Sequence, residues 1–285
     1  MSERLGRAAA ALGWVLLLAA VLAHAALAVL AVTEFVTMGW PLPTWFDTGA
    51  VTLVLASATA GLAASGRLAI HAAASSRALR ALIRSGWRPV PPVVQTQAAA
   101  LGCAATIDAV AGTEPFAVTY GLIRPRILVS TSLAAALSAA EISAVLLHER
   151  EHMRHRDPLR LIAAQLVAAW ACYLPTARWL ADRAALRREL AADRAAAALT
   201  SRSVLAGALL KLASMPTCPA VASASPADGG SGSLEARVAQ LEAGRPPRQR
   251  PAVSRLLASA GTLSLLLPAS LCCAALSQLA PGGLL

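Results

Sequence analysis

"SAAEISAVLLHEREHMRH", residues 138–155, begins as an apolar helical pattern and ends in a dense group of charged residues. Ser138 and Glu141 have the spacing of a capping box, in which a side chain and a main-chain amide bond each other reciprocally at a helix start. We therefore expect one helix that begins after Ser138 and continues to about His155.

Two histidines in this helix have the spacing of a metal site, because His148 and His152 form the pattern His-Glu-x-x-His. At 3.6 residues per turn they project from one helix face, so both imidazoles can bind one zinc ion. Glu149 lies beside that face, where it can take a proton from an activated water and pass it to a leaving amine. The pattern predicts a zinc site with Glu149 as the general base.

A catalytic zinc needs a third protein ligand and an open position for water. The best candidate is Glu189 in "RRELAADRAA", residues 187–196, because it lies on a later helix with Asp193 one turn beyond it. Asp193 is then expected to bond the distal nitrogen of a histidine ligand. His155 lies too far along the helix to reach the same ion and is predicted to be a bystander.

The simplest alternative is a basic helix that contains two histidines at helical spacing without binding a metal. It accounts for the charge but not for Glu149, Glu189 and Asp193 together. The residue that would stabilise an oxyanion stays open, with Tyr173 and Arg194 as the candidates.

The composition favours a membrane protein, because 57% of the 285 residues are hydrophobic and only 14% are charged. The formal charge of +10 is carried almost wholly by arginine, with Lys211 as the only lysine. Basic residues next to apolar segments are typical of an anchor at the inner leaflet, and no aromatic–basic pattern indicates a nucleic-acid site. The five cysteines lack CxxC spacing, which argues against a thiolate zinc site.

Three apolar segments are long enough to be read as transmembrane helices. Their basic flanks predict a multi-pass protein of the inner (cytoplasmic) membrane, with a cytoplasmic N-terminus and a cytoplasmic central domain. Whether residues 159–174 enter the bilayer stays open. The expected organisation is two transmembrane helices in 1–71 (about 11–33 and 49–70), a catalytic domain in 72–213, a linker and short charged helix in 214–252, and a C-terminal transmembrane helix in 253–285.

Three short runs rich in Val, Ile and Thr, "ATIDAV", "FAVTYGL" and "RILVS", precede the motif helix and predict a small antiparallel sheet. The segment 114–161, which contains two of these runs and the motif helix, together with "RRELAADRAA" resembles the BlaR/MecR antirepressor-type integral-membrane zinc metallopeptidases. It is more distantly similar to the HtpX and CAAX-protease group, which shares the HExxH and ExxxD signature. The resemblance covers about residues 92–200.

The resemblance implies a mainly α membrane protein, in which transmembrane helices flank a cytoplasmic α+β gluzincin-like peptidase domain. It implies one zinc per chain on His148, His152 and Glu189, with Glu149 as general base and Asp193 as an orienting residue. It also implies that "RILVS", residues 126–130, borders the cleft, where an extended peptide can add as a strand.

The expected function is that of a zinc metalloendopeptidase acting on a protein or peptide at the cytoplasmic side of the membrane. A BlaI/CopY-type repressor or a membrane-associated protein is the expected substrate, membrane lipids and a sensor are expected partners, and no direct nucleic-acid contact is expected. Only a short tail follows the last apolar segment, so direct antibiotic sensing is not expected. The alternative is a non-catalytic membrane signalling or scaffold protein that retains the zinc site.

Overall fold

The computed structural model of the protein describes residues 45–171, 174–216, 230–247 and 253–262, together with Val15. The chain divides into two compact units. One comprises 69–164 and 182–247, and the other comprises 1–68, 165–181 and 248–285. The first of these contains all the residues of the predicted site.

The helices are α1 (Trp45–Gly86), α2 (Pro92–Ala100), α3 (Leu133–Ala136), α4 (Ala139–His155), α5 (Asp157–Trp170), α6 (Pro175–Leu199), α7 (Arg202–Ala213) and α8 (Gly230–Ala243). The strands are β1 (Trp87–Arg88), β2 (Ile107–Val110), β3 (Ala117–Tyr120) and β4 (Arg126–Ser130). A 3-10 turn, Ala104–Thr106, precedes β2.

The sheet has the strand order β1-β2-β4-β3 and is mixed. β2 and β4 are parallel, whereas β3 and β4 are antiparallel, with Thr119 opposite Ile127. The prediction of an antiparallel sheet was therefore wrong at the β2–β4 pair. After β2 the chain forms β3 at the edge of the sheet. It then returns as β4, which lies between β2 and β3. Strand composition indicates where strands lie, but it does not specify which strand is the neighbour of which.

The inner strand β4 is buried on both faces, and its side chains pack into the core on each side of the sheet. Ile127 and Val129 pack on α2 and α4, whereas Leu128 packs on Leu79 of α1. Burying an aliphatic side chain of this size contributes about 1.5–3 kcal/mol. The main core cluster includes Val94, Ala98, Ile107, Ala109, Ile127, Val129, Leu133, Ile142, Val145 and Leu146.

Helix α4 is held at both ends. At its start the predicted capping box is confirmed, since Ser138 N donates to Glu141 Oε2 at 2.8 Å and Glu141 N donates back to Ser138 Oγ. Lys211 Nζ also donates to Glu141 Oε2 at 2.8 Å, which joins α7 to this helix end. At the other end Arg156 has a left-handed backbone with φ of 52°, which turns the chain sharply into α5.

The other unit has its own buried contacts. Thr176 Oγ1 donates to Ser259 Oγ at 2.9 Å, and both side chains are fully buried. A Cβ atom added at Gly61 would lie 2.8 Å from the ring of Trp170, so the glycine permits this close approach. Four buried residues that are close in sequence also form a small apolar cluster: Ala171, Leu174, Ala177 and Leu180.

The described part of the chain contains no helix that combines the length and the apolar character needed to cross a membrane. The prediction of a mainly α membrane protein with a multi-pass location is therefore contradicted; the described fold is mostly helical with a small mixed sheet. The predicted span 49–70 is part of α1, which continues through Arg67 to Gly86, and its many Ala, Gly, Ser and Thr residues have little apolar surface. The span 11–33, apart from Val15, and residues 263–285 lie outside the described residues.

Candidate metal centre and active site

Three side chains from two helices converge on one point. His148 and His152 project from α4, and the carboxylate of Glu189 reaches them from α6. The two Nε2 atoms are 3.0 Å apart, and the Glu189 oxygens lie 3.5 Å from His148 Nε2 and 3.4 Å from His152 Nε2. The structure thus brings the three predicted ligands together.

These separations fit a tetrahedral metal ion. When four ligands bind zinc tetrahedrally at about 2.0–2.1 Å, neighbouring ligand atoms lie about 3.3 Å apart. The distances among His148, His152 and Glu189 lie close to that value, and two nitrogens with one carboxylate form a donor set typical of a catalytic zinc. The residues present therefore fit a zinc ion with one position left for water or substrate.

The outer nitrogen of His148 faces a carboxylate from a distant helix. Nδ1 lies 2.9 Å from Asp193 Oδ1, in an ion-pair contact that is poorly aligned as a hydrogen bond. Asp193 is fully buried and accepts two bonds from Arg237 of α8, at 2.8 and 2.7 Å. Arg237 also lies 3.3 Å from Glu189, so one guanidinium contacts both Glu189 and Asp193.

The outer nitrogen of His152 faces a carboxylate that is close in sequence. Nδ1 lies 2.8 Å from Asp157 Oδ2, at hydrogen-bond distance. The left-handed turn at Arg156 ends α4 and brings Asp157 back towards it. Each histidine therefore has a carboxylate on the nitrogen that faces away from the convergence point, an arrangement that orients metal-binding imidazoles.

Burial and charge act in opposite directions on the groups of the site. Burial lowers the pKa of His152, but its contacts with Asp157 and Glu189 outweigh this and raise the pKa to about 10. The pKa of His148 is likewise raised, because Asp193 and Glu189 outweigh its burial. Burial raises the pKa of Glu189, but the two histidines hold it well below its usual range. At neutral pH a metal that binds His152 as a neutral imidazole must therefore displace its proton.

Glu149 lies on the same helix and is buried, with 9% of its surface exposed. Its carboxylate oxygen Oε2 is 2.8 Å from the hydroxyl of Thr119 in β3. A residue of the sheet therefore holds the carboxylate of the predicted general base, and the charge of this carboxylate acts on His152.

Two other predicted features lie apart from the convergence point. His155 pairs with Glu151 at 3.2 Å and its side chain is 43% exposed, in agreement with the prediction of a bystander. Arg194 is exposed and donates Nε to Leu190 O in its own helix, so it does not support an oxyanion role. Tyr173 lies outside the described residues.

The model of the BlaR1 peptidase M56 family matches residues 113–241. The predicted resemblance to the BlaR/MecR peptidases is confirmed. The M56 match includes every site residue described above, from Thr119 to Arg237, and covers somewhat less than half of the chain. No curated protein matches this chain. M56 similarity implies a metal-dependent peptidase that acts on proteins or peptides.

The edge of the sheet on the side of the candidate site is β3, not β4. "RILVS" pairs with β2 on one side and β3 on the other, so it cannot accept a further strand. In the described part of the chain β3 has a partner on one side only. An extended peptide therefore cannot add directly to residues 126–130, and the free edge on this side of the sheet is Ala117–Tyr120.

Sequence reasoning missed three residues of the site. Asp157 had a detectable signal, because a carboxylate directly after a helix that carries metal ligands can turn back onto the last turn. Thr119 and Arg237 had no signal in the sequence. Thr119 lies 29 positions before His148, Arg237 lies 48 positions after Glu189, and both contact the site only through tertiary packing.

Proposed function

We propose that the protein is a zinc-dependent endopeptidase, with His148, His152 and Glu189 as zinc ligands and Glu149 as the general base. The observation that carries the proposal is the convergence of three donor atoms beside a buried carboxylate. The M56 match supports a metallopeptidase independently of that geometry.

Zinc, when bound, supplies Lewis-acid polarisation of the peptide carbonyl and of the attacking water. Glu149 takes the proton of that water and later delivers it to the leaving amine, since both steps occur on one side of the scissile bond. Asp193 and Asp157 orient the two imidazoles through their outer nitrogens. Arg237 holds Glu189 and Asp193, which keeps two neighbouring carboxylates in place despite their repulsion.

The edge strand β3 is the proposed binding surface for an extended peptide. Ser130 N donates to Phe116 O, and antiparallel alternation then points the main-chain groups of Ala117 and Thr119 away from β4. A substrate strand added there would lie beside α4. A BlaI/CopY-type repressor is the first protein substrate to test, on the strength of the family resemblance.

The test compares two glutamates of the same helix turn. Purified wild type, Glu149→Gln and Glu151→Gln are loaded with zinc, and cleavage of unfolded and repressor-type proteins is followed by mass spectrometry. We expect about one zinc per chain in all three, and loss of cleavage by at least about 100-fold only in Glu149→Gln. Glu151 pairs with exposed His155, so its variant controls for a lost charge on α4.

Two results would count against this function. Full proteolysis by Glu149→Gln would exclude Glu149 as the base. Zinc binding without turnover on any protein offered, in wild type and variants alike, would favour a non-catalytic protein that retains the metal site.

A further inference from the structure

A hydroxyl group of the edge strand contacts the proposed general base twice. Thr119 Oγ1 lies 2.8 Å from Glu149 Oε2 and 2.9 Å from the main-chain oxygen of the same residue. A hydroxyl carries one hydrogen, so Thr119 donates to one of these oxygens at a time. A rotation about the C–O bond is enough to change between them.

The position of Thr119 follows from the sheet register. It is paired with Ile127, whose side chain is in the core between the sheet and α4. Paired residues of neighbouring strands point to the same face, so Thr119 also faces α4. An apolar residue of the same shape would pack equally well here but would leave Glu149 without this donor.

We propose that Thr119 is a positioning residue that holds the carboxylate of Glu149 in the orientation needed for proton transfer. The inference rests on the proposed function and adds a residue that the motif does not contain. A glutamate side chain has three rotatable bonds, and a fixed donor at Oε2 restricts them without using the other oxygen, Oε1. Oε1 is then available to the attacking water.

The contact with Oε2 also suits the proton cycle. While Glu149 is a carboxylate, the hydroxyl donates to Oε2. Once Oε1 has accepted the proton of the water, Oε2 is still an acceptor, so the hydroxyl continues to donate to it. The proton then passes from Oε1 to the leaving amine, and Glu149 is a carboxylate again. Thr119 thus keeps the side chain in place through both steps.

The test uses zinc-loaded Thr119→Val, which keeps the shape, and Thr119→Ser, which keeps the hydroxyl. We expect Thr119→Val to lower kcat by about 10- to 100-fold, the effect of losing one hydrogen bond to a charged group, with KM and zinc content unchanged. Thr119→Ser should recover most of the wild-type kcat. Thr106→Val is the matched control, because Thr106 is also half-buried and donates to a main-chain carbonyl away from the site.

A second measurement separates positioning of the base from substrate binding. In the Glu149→Gln background, peptide affinity should be the same with Thr or Val at position 119. Thr119→Ala provides the same deletion if valine disturbs folding. Wild-type kcat in Thr119→Val, equal loss in Thr119→Ser, or a change confined to KM would each overturn the inference. If wild type itself does not cleave, or Glu149→Gln cleaves normally, the proposed function fails instead.

Discussion

Each of the two histidines of the site has a carboxylate next to its Nδ1, but the two carboxylates come from different parts of the chain. His148 faces Asp193, which is 45 positions away, fully buried and clamped by Arg237. His152 faces Asp157, which is five positions away, with 13% of its side chain exposed. The first pair exists only when three helices are packed together, whereas the second is made by the end of one helix.

The difference indicates which half of the site depends on the whole fold. Ala144 and Leu147 of α4 pack against Ala196, Leu205 and Leu241 of α6, α7 and α8. The same packing sets Asp193 and Arg237 opposite His148. The pair at His152 needs only the left-handed residue at Arg156. We therefore expect substitutions at the distant pair and its clamp Arg237 to lower stability or zinc affinity more than substitutions at the local pair.

The largest effect is expected for Arg237→Met, which removes the cation from two buried carboxylates. Breaking a buried ion pair from one side costs about 3–5 kcal/mol of the free energy of unfolding. Urea denaturation of the metal-free protein measures this loss. Arg245→Met is the control, since Arg245 is exposed and lies beyond the end of α8.

The double variant Arg237→Met with Asp193→Asn sharpens this result. If the unpaired charge of Asp193 causes the loss, the double variant should be more stable than Arg237→Met alone. An additive loss would show that Arg237 acts mainly through packing of α8.

A smaller effect, on metal binding, is expected for Asp193→Asn. The amide lacks the negative charge that faces Nδ1 of His148, and the loss of such an orienting partner weakens zinc binding by about 10- to 100-fold. Competition with a chelating dye measures the zinc affinity, and Asp182→Asn, an exposed residue earlier in α6, serves as the control. An unchanged affinity in Asp193→Asn would contradict the orienting role.

The smallest effect at neutral pH is expected for Asp157→Asn. Asp157 helps raise the pKa of His152 to about 10. Below that pH it therefore stabilises the protonated His152 of the metal-free protein as well as the metal-bound form. Removing it should weaken zinc binding little near pH 6.5 and progressively more as the pH rises towards 10. Zinc affinity measured from pH 6.5 to 8.5 tests this; a loss that is the same at every pH would contradict it.

The same pKa has a consequence for stability. A histidine whose pKa is raised on folding stabilises the metal-free protein below its unfolded value of 6.5, and this contribution is lost as the pH rises through about 10. In Asp157→Asn the free energy of unfolding should therefore depend less on pH over that interval.

The motif helix was predictable because its signals are local. The cap at Ser138, the spacing of His148 and His152, and the helix end near His155 depend on residues within one or two turns of each other. Glu189 and Asp193 could be proposed because one turn also separates them, but their contact with α4 depends on packing. The transmembrane prediction for residues 49–70 was wrong: this segment is part of the longer helix α1, and no helix in the described part of the chain is long and apolar enough to cross a membrane.

Local patterns in the sequence were sufficient to predict the motif helix, with His148 and His152 on one face and Glu149 beside it, and the positions of the strands that precede it. Strand order, the edge position of β3, and the approach of Thr119, Asp193 and Arg237 to the motif helix came only from the tertiary structure. The physical reason is that helical periodicity relates residues three or four positions apart. Contacts between distant elements depend instead on the volumes and shapes that fill the core between them.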